Sequence, residues 1–390
     1  MDQQDRLAAR VHPAGAVVPS PTATLWTVQV LRGVAALMVV IGHSQSAVAA
    51  VVVANGGVFA RSTLVPWGAG VDLFFVISGF IMVHASARLF GRAGARAEFL
   101  RRRLVRIVPL YWAVTTMFLA LLALATMKGG DRFPSAGAVL ASYLFIPVDT
   151  YGDGRLFPVL DLGWTLNYEM FFYAILALVI GWRRKAALTA IGLLLAACVG
   201  LGLGMSGASP AWFWTRPIIL DFGLGVAVGA LVAQGTILPI PIRALLAVLG
   251  VGVLLADPTH LFNGATGMTV ANAWPRVVWA GLPIAAVLAA AVLGGEPRLP
   301  RVGLPFTRIG DASYSLYLFH PVALIAMEKL AQKLPAVRGT PGWLLVLVTV
   351  AAALAIALAA YRWIERPMTM GFARLLATRP SPPQSVAAAR

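Results

Sequence analysis

Leu31-Arg32-Gly33-Val34-Ala35-Ala36-Leu37-Met38-Val39-Val40-Ile41-Gly42-His43-Ser44 is an apolar stretch with one guanidinium near its start and one imidazole eleven positions later. Eleven helical steps of about 100° return to within roughly 20° of the starting direction, and at about 1.5 Å per residue they climb about 16 Å. Arg32 and His43 therefore share one helix face at different depths. Ionisable groups inside a hydrophobic span are costly to hold against lipid, so both are expected to line a protein-buried or watered cavity.

The rest of the chain supplies the membrane that this reading needs. Of 390 residues, 59% are hydrophobic, and the mean hydropathy is +0.82. Apolar runs of about 18 to 22 residues recur throughout, which predicts an all-α fold, a polytopic membrane bundle of about ten transmembrane helices with both termini cytoplasmic. The formal net charge of +16 does not point to nucleic acid. The cations cluster in particular loops, as the positive-inside rule expects of cytoplasmic segments, and no soluble domain is left to carry a basic patch. Cys198 is the single cysteine, which excludes an intramolecular disulfide and argues against a metal cluster.

In chain order, residues 1–25 read as a disordered cytoplasmic tail, residues 26–367 as the membrane domain and residues 368–390 as a second cytoplasmic tail. The strongest charge run is Arg88, Arg92, Arg96, Arg101, Arg102, Arg103 and Arg106, relieved only by Glu98. It orients its loop toward the cytoplasm and meets anionic membrane lipids. Arg103 and Arg106 run directly into the next apolar helix, and a cation pair three apart at a helix entry also suits the phosphates of a ligand. The loop from Lys128 to about Gly163 lacks a basic excess and is expected outside, where it helps shape an acceptor site. Basic clusters fall on alternate loops, with Lys329, Lys333 and Arg338 as the soft spot.

The ionisable groups placed within spans are Arg32, His43, Asp72, Glu169, Asp221 and His320. His43 and Asp72 both fall toward the outer half of antiparallel spans, so the carboxylate is expected to orient the imidazole. A histidine that titrates near neutrality can take a proton from a hydroxyl, which acyl transfer to a sugar requires. Arg32, deeper toward the cytoplasm, suits the phosphates or pantetheine end of a coenzyme A thioester. Plainer readings stand beside these. His43 and His320 can each serve as a hydrogen bond between spans, with Tyr314 and Tyr317 as partners of His320, and Glu169 can be satisfied by Tyr173 or Trp164. There is no metal-ligand spacing, no glycine-rich phosphate loop and no G-x-S-x-G elbow.

Taken together, several segments resemble the acyltransferase-3 integral membrane acyltransferases, which include polysaccharide and lipopolysaccharide O-acetyltransferases. The segments are Gln29 to Gly33 with Gly42-His43, Gly70-Val71-Asp72-Leu73-Phe74-Phe75 through Phe80, and Arg103-Leu104-Val105-Arg106 through Tyr111. Trp164-Thr165-Leu166 with Glu169, Ser313-Tyr314-Ser315-Leu316-Tyr317-Leu318-Phe319-His320-Pro321, and Glu365-Arg366-Pro367 complete the set.

The resemblance implies a bacterial inner-membrane enzyme that takes an acyl group, acetyl by preference and with no metal, from cytoplasmic acetyl-CoA. The acceptor it implies is a hydroxyl of an exported polysaccharide or lipid-linked glycan, with glycan export or polymerisation machinery as a further partner. It also implies that Arg32 and His43 are essential and that Arg103 and Arg106 form the second arginine motif. On this expectation Arg32, Arg103 and Arg106 hold the donor, His43 activates the acceptor, and Asp72 orients His43. Trp164, Glu169, Ser313, Tyr314 and His320 are expected to line the same cavity. The rival expectation is a proton-coupled or sugar carrier that uses the same buried groups.

Overall fold

The computed structural model describes residues 25–129, 132–207, 209–258, 260, 262, 273–295, 303–334 and 339–376. The expected tails, apart from Leu25 and residues 368–376, lie outside these residues, as do Arg298, Arg301 and Arg338. Regular structure among the described residues is helical throughout. The principal helices are α1 (Trp26–Ala54), α2 (Gly70–Ala85), α3 (Ala95–Met127), α4 (Trp164–Val179), α5 (Arg184–Gly202), α6 (Leu220–Ala233), α7 (Ile240–Ala256), α8 (Leu282–Val292), α9 (Leu304–Asp311), α10 (Ser313–Lys333), α11 (Gly342–Ala360) and α12 (Arg366–Leu375).

Among the described residues, seven helical segments are long and apolar enough to cross a membrane: Trp26–Ala54, Trp67–Ala85, Ala95–Met127, Asp161–Val179, Arg184–Gly202, Trp274–Val292 and Gly342–Leu375. The other three expected spans fall on the shorter apolar segments Pro217–Ala233 and Ile240–Ala256, and on α10, which carries Glu328, Lys329 and Lys333 in its second half. The last helical segment continues to Leu375, past the boundary expected at residue 367.

α1 is the hub, packed against α2, α9, α10 and α11. α2 in turn lies on α6 at backbone contact distance. A Cβ on Gly79 would stand 2.0 Å from the Phe222 carbonyl oxygen, and one on Gly225 would stand 1.9 Å from that of Val76. With no hydrophobic drive between helices in lipid, such small-residue contacts let van der Waals packing hold the pair. An aromatic core flanks the contact: Phe222 stacks on Phe75 at 4.4 Å and on Phe172 at 4.6 Å between ring centroids.

Several cations that read as loop charge cap helices instead. Arg96 donates to the carbonyls of Ala177 and Leu178 at the end of α4, Arg243 to Ala290 near the end of α8, and Arg184 to Ala233 at the end of α6. Each guanidinium meets carbonyls that the helix leaves unsatisfied and the negative end of its dipole.

Candidate functional site

α1 enters the bundle beside α9, and the approach is again set by glycine. A Cβ on Gly310 would lie 1.9 Å from the Gln29 carbonyl oxygen, and one on Gly33 would lie 2.9 Å from that of Phe306. α9 is thereby pressed onto the first turns of α1, and the break at Ala312 starts α10 next to Arg32. The Arg32 guanidinium donates through Nη2 to Ser313 Oγ at 2.8 Å and through Nη1 to Gln29 Oε1 at 3.0 Å.

Arg32 is one wall of a cavity of about 250 Å³ whose lining also includes Arg103, Arg106, Glu169, Tyr173, Ser313 and Tyr314. Its carboxylate is positioned from two helices: Ser78 Oγ on α2 and Tyr173 OH on α4 both donate to Glu169 Oε1, at 2.9 and 2.5 Å. Tyr314 is fixed by donating to the Ile107 carbonyl at 2.7 Å. Beside the cavity Glu365 is buried and accepts from the backbone N–H and the hydroxyl of Ser315, at 3.2 and 2.6 Å. Arg103 is 7% exposed and rests on the Phe99 ring, yet its buried Nε has no hydrogen-bond partner. An unpaired guanidinium nitrogen on a cavity wall is costly unless a ligand meets it. Three arginines converge here, and fork-shaped donors of this kind match phosphate oxygens.

His43 lies in a second cavity of about 450 Å³, lined also by Trp67, Trp164, Arg61, Gln45 and Arg276. Val71 and Tyr317 line both cavities, so the two meet at a shared wall. Tyr317 is anchored there by donating to the Leu162 carbonyl at 3.0 Å and pairing with Thr165 Oγ1 at 2.8 Å. The neighbours on α4 divide accordingly, with Thr165 lining the first cavity and Trp164 the second. Residues 60–63 also reach the second cavity, and their loop is fixed by Ser62 N–H donating to Gln45 Oε1 at 2.6 Å. The acidic loop expected to shape an acceptor site contributes less. Asp149 accepts from the N–H groups of Gly152, Asp153 and Gly154, and the exposed Asp153 carboxylate is held below its ordinary range by Arg155.

Two expectations are corrected by this geometry. The predicted residues do not line a single cavity: Arg32, Arg103, Arg106, Glu169, Ser313 and Tyr314 face one, while His43 and Trp164 face the other. Nor does Asp72 orient His43. Asp72 sits in the first turn of α2 and is fully buried, where Arg276 grips it bidentately, Nε to Oδ1 at 2.7 Å and Nη2 to Oδ2 at 2.9 Å. A guanidinium satisfies both carboxylate oxygens at once, which an imidazole cannot do. The partner of His43 is His320, with Nδ1 2.8 Å from Nε2. His320 is fully buried behind His43, and its Nδ1 lies 2.9 Å from the Tyr317 carbonyl and 3.2 Å from that of Leu316.

Tyr173 donates to Glu169 as expected, and the site residues that sequence reasoning missed are Gln29, Arg276 and Glu365. Gln29 and Glu365 stand inside the segments that carry the family resemblance. Arg276 and Glu365 each abut or end a π-helical turn, Val277–Gly281 and Tyr361–Glu365.

A family model described as an acyltransferase domain matches residues 26–362. The chain is 34% identical over 307 residues to the exopolysaccharide production protein ExoZ of Rhizobium meliloti (strain 1021), covering 77% of this chain and 89% of that protein. No solved structure matches the chain.

Proposed function

Because the chain belongs to the acyltransferase-3 family of integral membrane acyltransferases, we propose that it moves an acetyl group from cytoplasmic acetyl-CoA to a hydroxyl of an exported polysaccharide, O-acetylating it. The likeness to an exopolysaccharide production protein favours that acceptor class over lipopolysaccharide. One observation carries the reading: an arginine-lined cavity and a histidine-lined cavity meet at the wall formed by Val71 and Tyr317.

On this reading the chain spans a bacterial inner membrane ten times with both termini inside, and the arginine-rich end faces the cytoplasm. Arg32, Arg103 and Arg106 hold the anionic donor there, with the free Nε of Arg103 meeting a phosphate oxygen. Glu169, kept in place by Ser78 and Tyr173, adds a negative charge that balances the arginines of the same cavity. Across the wall, Trp67 and Trp164 offer flat apolar faces to a sugar. His43 takes the proton from the acceptor hydroxyl as its oxygen bonds to the acyl carbon and the carbon–sulfur bond breaks. The protonated His43 then gives up that proton, which ends on the departing thiolate, and the neutral imidazole is restored. Asp72 contributes by locking Arg276, and through it the outer end of α2.

Inside-out vesicles containing the native acceptor, given acetyl-CoA labelled on the acetyl group, test the proposal. Wild-type protein is expected to place label in the glycan fraction, and Arg32→Ala and His43→Ala at equal expression are expected to fail. Label that never leaves coenzyme A, with succinyl-CoA failing as well, would overturn the proposal in favour of a carrier.

A further inference from the structure

His320 faces neither cavity, so it does not meet a substrate directly, yet it is the hydrogen-bond partner of His43. Its immediate successor is Pro321, inside α10. Proline has no N–H, so the carbonyl four residues earlier loses its helical donor. That carbonyl belongs to Tyr317. It is the nearer of the two carbonyls that His320 Nδ1 approaches, at 2.9 Å against 3.2 Å for that of Leu316.

We propose that Pro321 and His320 together fix the tautomer of His43, leaving its Nε2 unprotonated toward the acceptor cavity. A carbonyl oxygen can only accept, so His320 Nδ1 carries the hydrogen. A neutral imidazole has one N–H, which makes His320 Nε2 the acceptor. His43 Nδ1, 2.8 Å away, then donates, and its own lone pair is left on Nε2. The chain of donors runs from His43 Nδ1–H to His320 Nε2, and from His320 Nδ1–H to the Tyr317 carbonyl. When His43 Nε2 gains the hydroxyl proton, Nδ1–H keeps its acceptor and the ring does not turn. His320 is a positioning residue, and Pro321 acts through it. A carboxylate would serve the same end with a charge; here a helix defect and a second imidazole do so without one.

The inference rests on His43 acting as base or nucleophile, but its central test needs no substrate. The full chain, labelled with ¹⁵N-histidine in lipid nanodiscs, has five histidines, and the His43 signals are assigned by their loss in His43→Ala. The expected spectrum shows His43 protonated at Nδ1 and bare at Nε2, with His320 the same. A proton on His43 Nε2, or on both nitrogens of His320, overturns the inference whether or not the protein transfers acyl groups.

Transfer rates then test its consequence. His320→Leu is expected to lose about 10²- to 10⁴-fold in rate at saturating acetyl-CoA, the range that general-base catalysis supplies, with an unchanged half-saturating concentration. His320→Gln offers an acceptor oxygen to His43 Nδ1 and should regain at least about tenfold over the leucine variant, while Pro321→Ala, by returning an N–H to the Tyr317 carbonyl, should cost severalfold. Glutamine no better than leucine at matched melting temperature would mean that His320 only fills space, and would sink the inference.

Discussion

The two cavities share a wall but differ in how their polar groups are held. In the first, a guanidinium is tied to an amide and a hydroxyl across α1 and α10, a carboxylate is tied to two further hydroxyls across α2 and α4, and one arginine nitrogen is left unmet. In the second, His43 has its Nδ1 engaged from behind, the walls include tryptophan, serine and glutamine, and its two arginines are already engaged, Arg61 by Ser46 and Arg276 by Asp72. The first is built to hold fixed negative charge, which needs many donors in rigid positions. The second is built to leave one nitrogen available beside broad apolar faces, which suits a neutral, hydroxyl-rich chain. On the proposed function, one cavity supplies binding energy and the other supplies chemistry.

Substitutions can break that contrast. The largest effect is expected at His43: His43→Ala should lower transfer by about 10²- to 10⁴-fold, read as label reaching glycan, while donor binding persists. Loss of donor binding in that variant would erase the distinction between the cavities. Next is the ion pair behind them. Asp72→Ala takes the bidentate partner from the Arg276 guanidinium, leaving it the Gly68 carbonyl, and should cost about 3–5 kcal/mol, seen as a fall in melting temperature, whereas replacing both residues with apolar ones of similar volume should restore most of it.

Arg103→Gln should raise the half-saturating acetyl-CoA concentration about 10- to 100-fold, from the loss of about 1.5–3 kcal/mol of charge-assisted hydrogen bonding, and leave the saturated rate near wild type. A fall in the saturated rate instead would move Arg103 into the chemical step. The smallest shift is expected at Trp164→Leu, where losing about 0.5–1.5 kcal/mol of aromatic contact should weaken use of the acceptor about two- to tenfold without altering acetyl-CoA dependence.

Much of this was legible because a membrane span punishes charge. Arg32, His43, Glu169 and His320 stand out in apolar runs, and the eleven-residue step from Arg32 to His43 places them at two depths on one face of a continuous α1. What could not be read is which charges pair. Asp72 and Arg276 are 204 positions apart, and His43 and His320 are 277 apart. No local periodicity encodes such distances. The π-helical turns beside Arg276 and at Glu365 have no sequence signature, so Arg276 did not stand out and Glu365 entered only through the segment Glu365-Arg366-Pro367. The His320-Pro321 dipeptide did carry a local signal, a freed carbonyl beside a donor, whose meaning depends on the partner that α1 brings to it.

The wall of Val71 and Tyr317 has an electrical consequence. A membrane potential is worth about 2.3 kcal/mol per elementary charge per 100 mV and normally falls across about 30 Å of hydrocarbon. Where polar cavities reach inward from both ends, the drop is compressed into whatever dry matter separates them. On the proposed topology that insulator includes Val71 and Tyr317, a tyrosine whose hydroxyl is already committed to Leu162 and Thr165. On the proposed function the group that passes this wall is a short, uncharged acyl chain, so turnover need not discharge the membrane.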